Sequence, residues 1–153
     1  MGKLLKVMIG AAALFGMAML AGCADDFSDS SKMQFTTVMA GANEVPPKTV
    51  DGTGKGWFAL DKSTKVLKWK VTYEDLTGPP VAMHFHGPSN INISAPVVLP
   101  MPLPPTPASP LTGQATLTDA QIADLSAGKW YVNTHTAKHK DGEIRGQVMP
   151  AGK

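Results

Sequence analysis

Between Val66 and Glu74 apolar and polar side chains alternate one for one, with Leu67, Trp69, Val71 and Tyr73 on one side and Lys68, Lys70, Thr72 and Glu74 on the other. A period of two is that of a half-buried β-strand, and no helical template fits it. The same β-prone texture recurs in short runs divided by Gly, Pro and Asp turn signals. Met33–Ala40 predicts a first strand, closed off by Pro46 and Pro47, which lack the N–H a ladder needs. Gly56–Leu60 predicts a second, and Asp61–Lys65 reads as the hairpin loop into the alternating strand. Further strands are predicted around Met83–His86, at Ala95–Leu99, at Trp130–Thr136 and, after an Asp141-Gly142 hairpin turn, at Glu143–Met149.

One segment carries helix signals. Thr118 followed by Gln121 is a capping-box pair, Asp119 suits the positive end of the helix dipole, and Gly128 is placed to stop the last turn. The predicted helix runs from Asp119 to Ala127 with Ile122 and Leu125 inward. Pro100–Pro110 holds six prolines in eleven residues, too many for a sheet interior, and reads as an extended crossover connection. Seven or eight mostly antiparallel strands with one short helix predict an all-β fold, a Greek-key β-sandwich or barrel.

The 153-residue chain opens with a different texture. Lys3 and Lys6 precede an apolar stretch from Val7 to about Ala21, too short and too rich in Gly and Ala for a spanning helix, which reads as an export signal over residues 1–22. Leu-Ala-Gly-Cys, Leu20–Cys23, resembles the lipobox of bacterial lipoproteins. That resemblance implies that Cys23 becomes the mature N-terminus and carries lipid, which holds the protein on a membrane without a spanning helix. Ala24 after the cysteine implies sorting to the outer membrane, so the expected location is the bacterial cell envelope. Residues 23–32 are polar and aperiodic and read as a tether, leaving residues 33–150 as one domain.

Loss of Lys3 and Lys6 with the signal leaves 12 basic against 12 acidic residues. A neutral domain without a basic run has no electrostatic footprint for nucleic acid. Cys23 is the sole cysteine, so no internal disulfide forms.

The candidate chemistry lies in the four histidines. His84 and His86 sit two apart on a predicted strand and project to one face, with Met83 and Phe85 on the other. His135 shares a strand face with Tyr131 and Asn133, and His139 keeps that parity if the strand runs on. Where the two faces meet, three or four neutral imidazoles surround one cation, and an all-nitrogen set suits copper or zinc rather than magnesium or calcium. The competing reading has the same imidazoles bonding backbone carbonyls beside turns, with Asn133, Thr134 and Thr136 in the network. Glu143 and Arg145, two apart, read as a structural ion pair or backbone clamp, and Gly146 beside them as a close backbone approach. No nucleophile elbow is present, and nothing in the spacing of Glu44 and Glu143 favours a glycosidase pair.

Four segments in order, Gly41–Pro47 (G-A-N-E-V-P-P), Ala82–Pro88 (A-M-H-F-H-G-P), Tyr131–Thr136 (Y-V-N-T-H-T) and Gly142–Val148 (G-E-I-R-G-Q-V), resemble the chordin-type (CHRD) domain. The resemblance implies an extracytoplasmic β-sandwich module, repeated in the secreted antagonist chordin and found singly in bacterial exported proteins. It implies no agreed activity for the bacterial members. It also separates His139 from the other three, because many relatives carry Asn-Pro-Gly-Gly where this chain has His139-Lys140-Asp141-Gly142. The reading is therefore a non-enzymatic binding or structural module that meets a protein partner at the envelope, with His84, His86, His135 and, last, His139 as metal ligands. The alternative is a copper-dependent redox protein, since the H-x-H strand is also similar to that of Cu/Zn superoxide dismutase; the second metal-bridging cluster and the framework disulfide of that family are missing.

Overall fold

The computed structural model of the protein describes residues 26–152. Eight strands follow in chain order: β1 (Met33–Ala40), β2 (Thr53–Asp61), β3 (Val66–Glu74), β4 (Pro80–His86), β5 (Val97–Pro100), β6 (Leu111–Thr116), β7 (Trp130–Thr136) and β8 (Ile144–Pro150). One helix, α1 (Asp119–Ser126), links β6 to β7. All eight strands join one curled antiparallel sheet in the order β5-β4-β7-β8-β1-β2-β3-β6. The fold is thus all-β with one short helix, as the turn-punctuated pattern predicts, and the sheet rolls into a half-barrel around a single core.

The strict alternation of β3 explains that core. Leu67, Trp69 and Val71 are buried, with Phe58 and Leu60 of β2 beside them. Phe85 of β4 meets Phe58 (ring centroids 5.4 Å) and Trp69 (5.7 Å) across the half-barrel and Trp130 (5.5 Å) on the neighbouring β7, in edge or tilted contacts. Such pairs contribute about 0.5–1.5 kcal/mol each beyond their buried area. Phe85 is the residue between His84 and His86, so the aromatic cluster that closes the core also fixes the strand that presents them.

β6 is the strand the periodicity does not reveal. It offers Leu111 as its one buried large residue, and Gly113 interrupts the pattern where the Trp69 indole lies across it; a Cβ at Gly113 would stand about 2.5 Å from the ring. The Pro100–Pro110 segment connects β5 to β6, the two edges of the sheet, and its Met101 is buried in the core with its N–H bonded to the Met83 carbonyl. The helix has the predicted capping box, with Leu125 buried and Gly128 at φ +69° after its last turn. Asp26–Ser28, within the expected tether, form a short 3-10 turn, and Phe27 and Ser28 line a recess with Trp57 and Lys70.

Candidate metal centre

β4 and β7 are neighbours whose register sets His84 opposite Asn133, His86 opposite Tyr131 and Ala82 opposite His135. β8 continues the layer, with Arg145 opposite Asn133 and Gln147 opposite Tyr131. Met83, Phe85, Val132 and Ile144 occupy the core face of these strands, so the histidines lie on the opposite side of the sheet. His84, His86 and His135 are half-buried there, and their ligating nitrogens all lie within 4.8 Å of one another. β7 ends at Thr136, and His139 falls in the turn that follows, outside the group of three.

The hydrogen bonds assign the tautomers. His86 Nδ1 lies 2.9 Å from the Ala95 carbonyl and His135 Nδ1 lies 2.9 Å from the Lys140 carbonyl. A carbonyl only accepts, so both Nδ1 atoms carry the proton and both Nε2 atoms are left as bare lone pairs. His86 Nε2 is buried without any hydrogen-bond partner. His135 Nε2 stands 3.3 Å from His84 Nδ1, long for a hydrogen bond between nitrogens. Two nitrogens bound to one tetrahedral ion at about 2.0–2.1 Å stand about 3.3–3.4 Å apart, so the spacing suits a shared ion at least as well. The two readings of the histidines therefore describe different atoms. Nδ1 of His86 and of His135 clamps a loop carbonyl, and Nε2 of each is free to ligate; a backbone partner on the far nitrogen is how ligating imidazoles are ordinarily oriented.

Burial holds His84, His86 and His135 below the usual 6.5, reinforced at His84 by the neighbouring imidazoles; at His86 and His135 it prevails over the carbonyl hydrogen bonds, and at His135 over Asp141 as well. At neutral pH all three are uncharged, the form a metal takes.

A second layer supports the first. The His86 ring stacks on Tyr131 (4.8 Å, interplanar 4°), and the Arg145 guanidinium lies 3.5 Å from the centre of the same ring. The Tyr131 hydroxyl accepts from the Ala95 N–H at 3.0 Å and donates to the Ala95 carbonyl at 3.2 Å, the carbonyl that also receives His86. Arg145 donates to the Ile93 carbonyl (2.7 Å) and Gln147 to that of Ser89 (3.1 Å), so the β4–β5 loop is pinned across this face. Asn133 donates to Glu44 at 2.6 Å, and burial raises the Glu44 carboxyl to about 7 despite the nearby Arg145.

Of the two readings of Glu143 and Arg145, the ion pair does not form, whereas Arg145 does clamp a backbone carbonyl, that of Ile93. Glu143 precedes β8, points the other way and accepts from the Thr77 N–H (2.7 Å), the Thr77 hydroxyl (2.6 Å) and the Thr136 hydroxyl (2.5 Å). Burial alone would raise its carboxyl, but these three donors outweigh that and lower it. Gly146 does mark a close approach, because a Cβ there would collide with the Val38 carbonyl and the Thr37 hydroxyl. Thr134 and Thr136 face away from the histidines, and Thr134 Oγ1 is unpartnered. Glu44 beneath Asn133 and the carbonyls of Ala95 and Lys140 were not legible from spacing, since each meets the site through a loop, and the stacking of Tyr131 on His86 depends on the β4–β7 register.

The family profile of the CHRD domain matches residues 35–148. This chain belongs to the CHRD-domain family. The match runs from the first strand to the last and takes in the three clustered histidines. No characterised protein and no solved structure gives a significant match to the chain.

Proposed function

We propose that this CHRD domain is a transition-metal-binding module of the bacterial cell envelope, holding one copper or zinc ion through His84, His86 and His135. The observation that carries the reading is the cluster of His84, His86 and His135, with one ring nitrogen of each within 4.8 Å of the others and His86 Nε2 buried and unpartnered. An orphaned buried polar atom costs about 1–3 kcal/mol, and an ion shared with the two neighbouring imidazoles offsets that cost. The nitrogen-only donor set and the neutral state of all three rings suit copper or zinc. His139 takes no part in this site. Lipid on Cys23, which lies outside the described residues, displays the module beyond the cytoplasm.

The test is the metal content of the untagged protein purified without chelator, beside the His84→Ala/His86→Ala double variant. The expected result is near-stoichiometric copper or zinc in the wild type and none in the variant, with added metal raising the wild-type melting temperature alone. At a hundred times Kd, binding adds about 2.7 kcal/mol to the folded state. Wild type that holds neither ion above background, with a variant that simply melts lower, would leave the histidines with their loop-clamping role alone.

A further inference from the structure

Asn133 is 3% exposed, yet its side-chain oxygen has no hydrogen-bond partner. The amide is held from its other end, where Nδ2 donates to Glu44 Oε1 at 2.6 Å and leaves Oδ1 over. Once Glu44 is a carboxylate, turning the amide round would set two acceptors face to face. Gly142 packs over the amide so closely that a Cβ there would collide with both Nδ2 and Oδ1.

That oxygen sits among the histidines. Asn133 lies directly opposite His84 in the β4–β7 register, which sets the two Cβ atoms about 4.5–5.5 Å apart. His135 is two residues along the same strand and on the same face, and His86, opposite Tyr131, is on the diagonal. The other donors nearby are committed or set apart. Asp141 acts on His135 more strongly than Lys48 does, but it is paired with Lys48 at 2.5 Å and stands largely in solvent. Glu143 is enclosed by Thr77 and Thr136, and the Tyr131 hydroxyl is bonded twice to Ala95. His139 Nε2 is also buried without a partner, but its ring lies outside the group of three, in a turn held by Thr136.

We infer that Asn133 Oδ1 is the fourth ligand of the His84–His86–His135 site and closes it. This rests on the metal reading above and deepens it, giving the ion three imidazole nitrogens and one neutral amide oxygen. A shell closed by four protein donors leaves no place for a solvent ligand, as in sites whose ion stabilises the fold rather than activates water.

The experiment loads the untagged protein with one equivalent of Co(II) at pH 8 and follows the visible bands, which report the number and kind of ligands, while azide is added. Wild type should give bands that excess azide does not move. Asn133→Ala should bind Co(II) about ten- to a hundredfold more weakly, and its bands should shift as azide takes the vacated position. Asn133→Asp keeps an oxygen at that place. It should load fully, with bands displaced from those of wild type and unmoved by azide, and it decides the matter if the alanine variant does not fold. His139→Ala should match wild type. Wild-type bands that move with azide would show an open position and overturn the closure. Asn133 variants with the bands of wild type would put the fourth donor elsewhere, and loss of those bands in His139→Ala would name it as His139. Each of these results overturns the inference and leaves the metal site standing. Wild type that takes up no cobalt, zinc or copper would overturn the metal reading and this one with it.

Discussion

Glu44 is 5% exposed and sits beneath Asn133 on the face that carries the histidines, with its carboxyl raised to about 7 from 4.5. An acid whose folded value is raised binds more protons folded than unfolded between those two limits. Stability is therefore lost as pH rises from about 4.5 through 7, by an amount on the order of 3 kcal/mol. Glu44→Gln keeps the acceptor for Asn133 and removes the ionisation. We expect the variant to melt several degrees above wild type at pH 8 and within a degree or two of it at pH 4.5; equal gaps at both would show that Glu44 does not titrate in this range. The histidines carry the opposite sign. Their folded values are depressed below 6.5, so the stability and the metal affinity that depend on neutral rings are present above that value and lost as pH falls below it. Zinc titrations at pH 7.5 and pH 5.5 check this: affinity should fall at least tenfold at the lower pH, and an unchanged affinity would place the metal on other donors.

Strands were legible wherever both faces speak. β3 has apolar and charged residues in strict turn, and β4 sets Met83 and Phe85 against His84 and His86, so element, register parity and the outward face of the histidine pair could all be read. β6 has Leu-Thr-Gly-Gln-Ala-Thr, and its inward position at Gly113 is filled by a side chain from another strand, the Trp69 indole. The information for that packing is held in β3, which is why no window on β6 shows it. Gly113→Val forces the two elements apart. A destabilisation of about 1–3 kcal/mol, the usual cost of an overpacked core, should appear in urea unfolding with little change in slope. A neutral result would mean that the indole can swing clear, and that β6 does not depend on it. The same logic limits what could be seen of the site. His84 and His86 are local to one strand, but their meeting with His135 depends on β4 pairing with β7, 51 residues away and on the far side of a Pro-rich crossover and a helix. His139 shared the parity of His135 in sequence, and the strand ended at Thr136 before that parity could apply.

The whole molecule separates its tasks between the two sides of one sheet. The concave side is filled by the aromatic cluster, the crossover with Met101 and the inward face of α1, and the convex side of β4, β7 and β8 carries the histidines under a pinned loop. No helix among the described residues is long and apolar enough to cross a membrane. The attachment proposed from Leu20–Cys23 is through lipid on Cys23, with multiple acyl chains needed for a stable hold. The eight strands begin at Met33, ten residues beyond Cys23, so the anchor and the metal site are separable by substitution. Cys23→Ser should abolish incorporation of labelled fatty acid and move the protein from the membrane to the soluble fraction of its host cell. Its copper or zinc content and its melting temperature should not change, since the proposed ligands and the core belong to the domain whose strands begin at Met33. Cys23→Ser protein that stays in the membrane fraction without label would show that the attachment is made by the folded domain itself. The exposed aliphatic residues of the convex side, Val38, Ile91 and Ile93, would then be the first surface to charge and test for release.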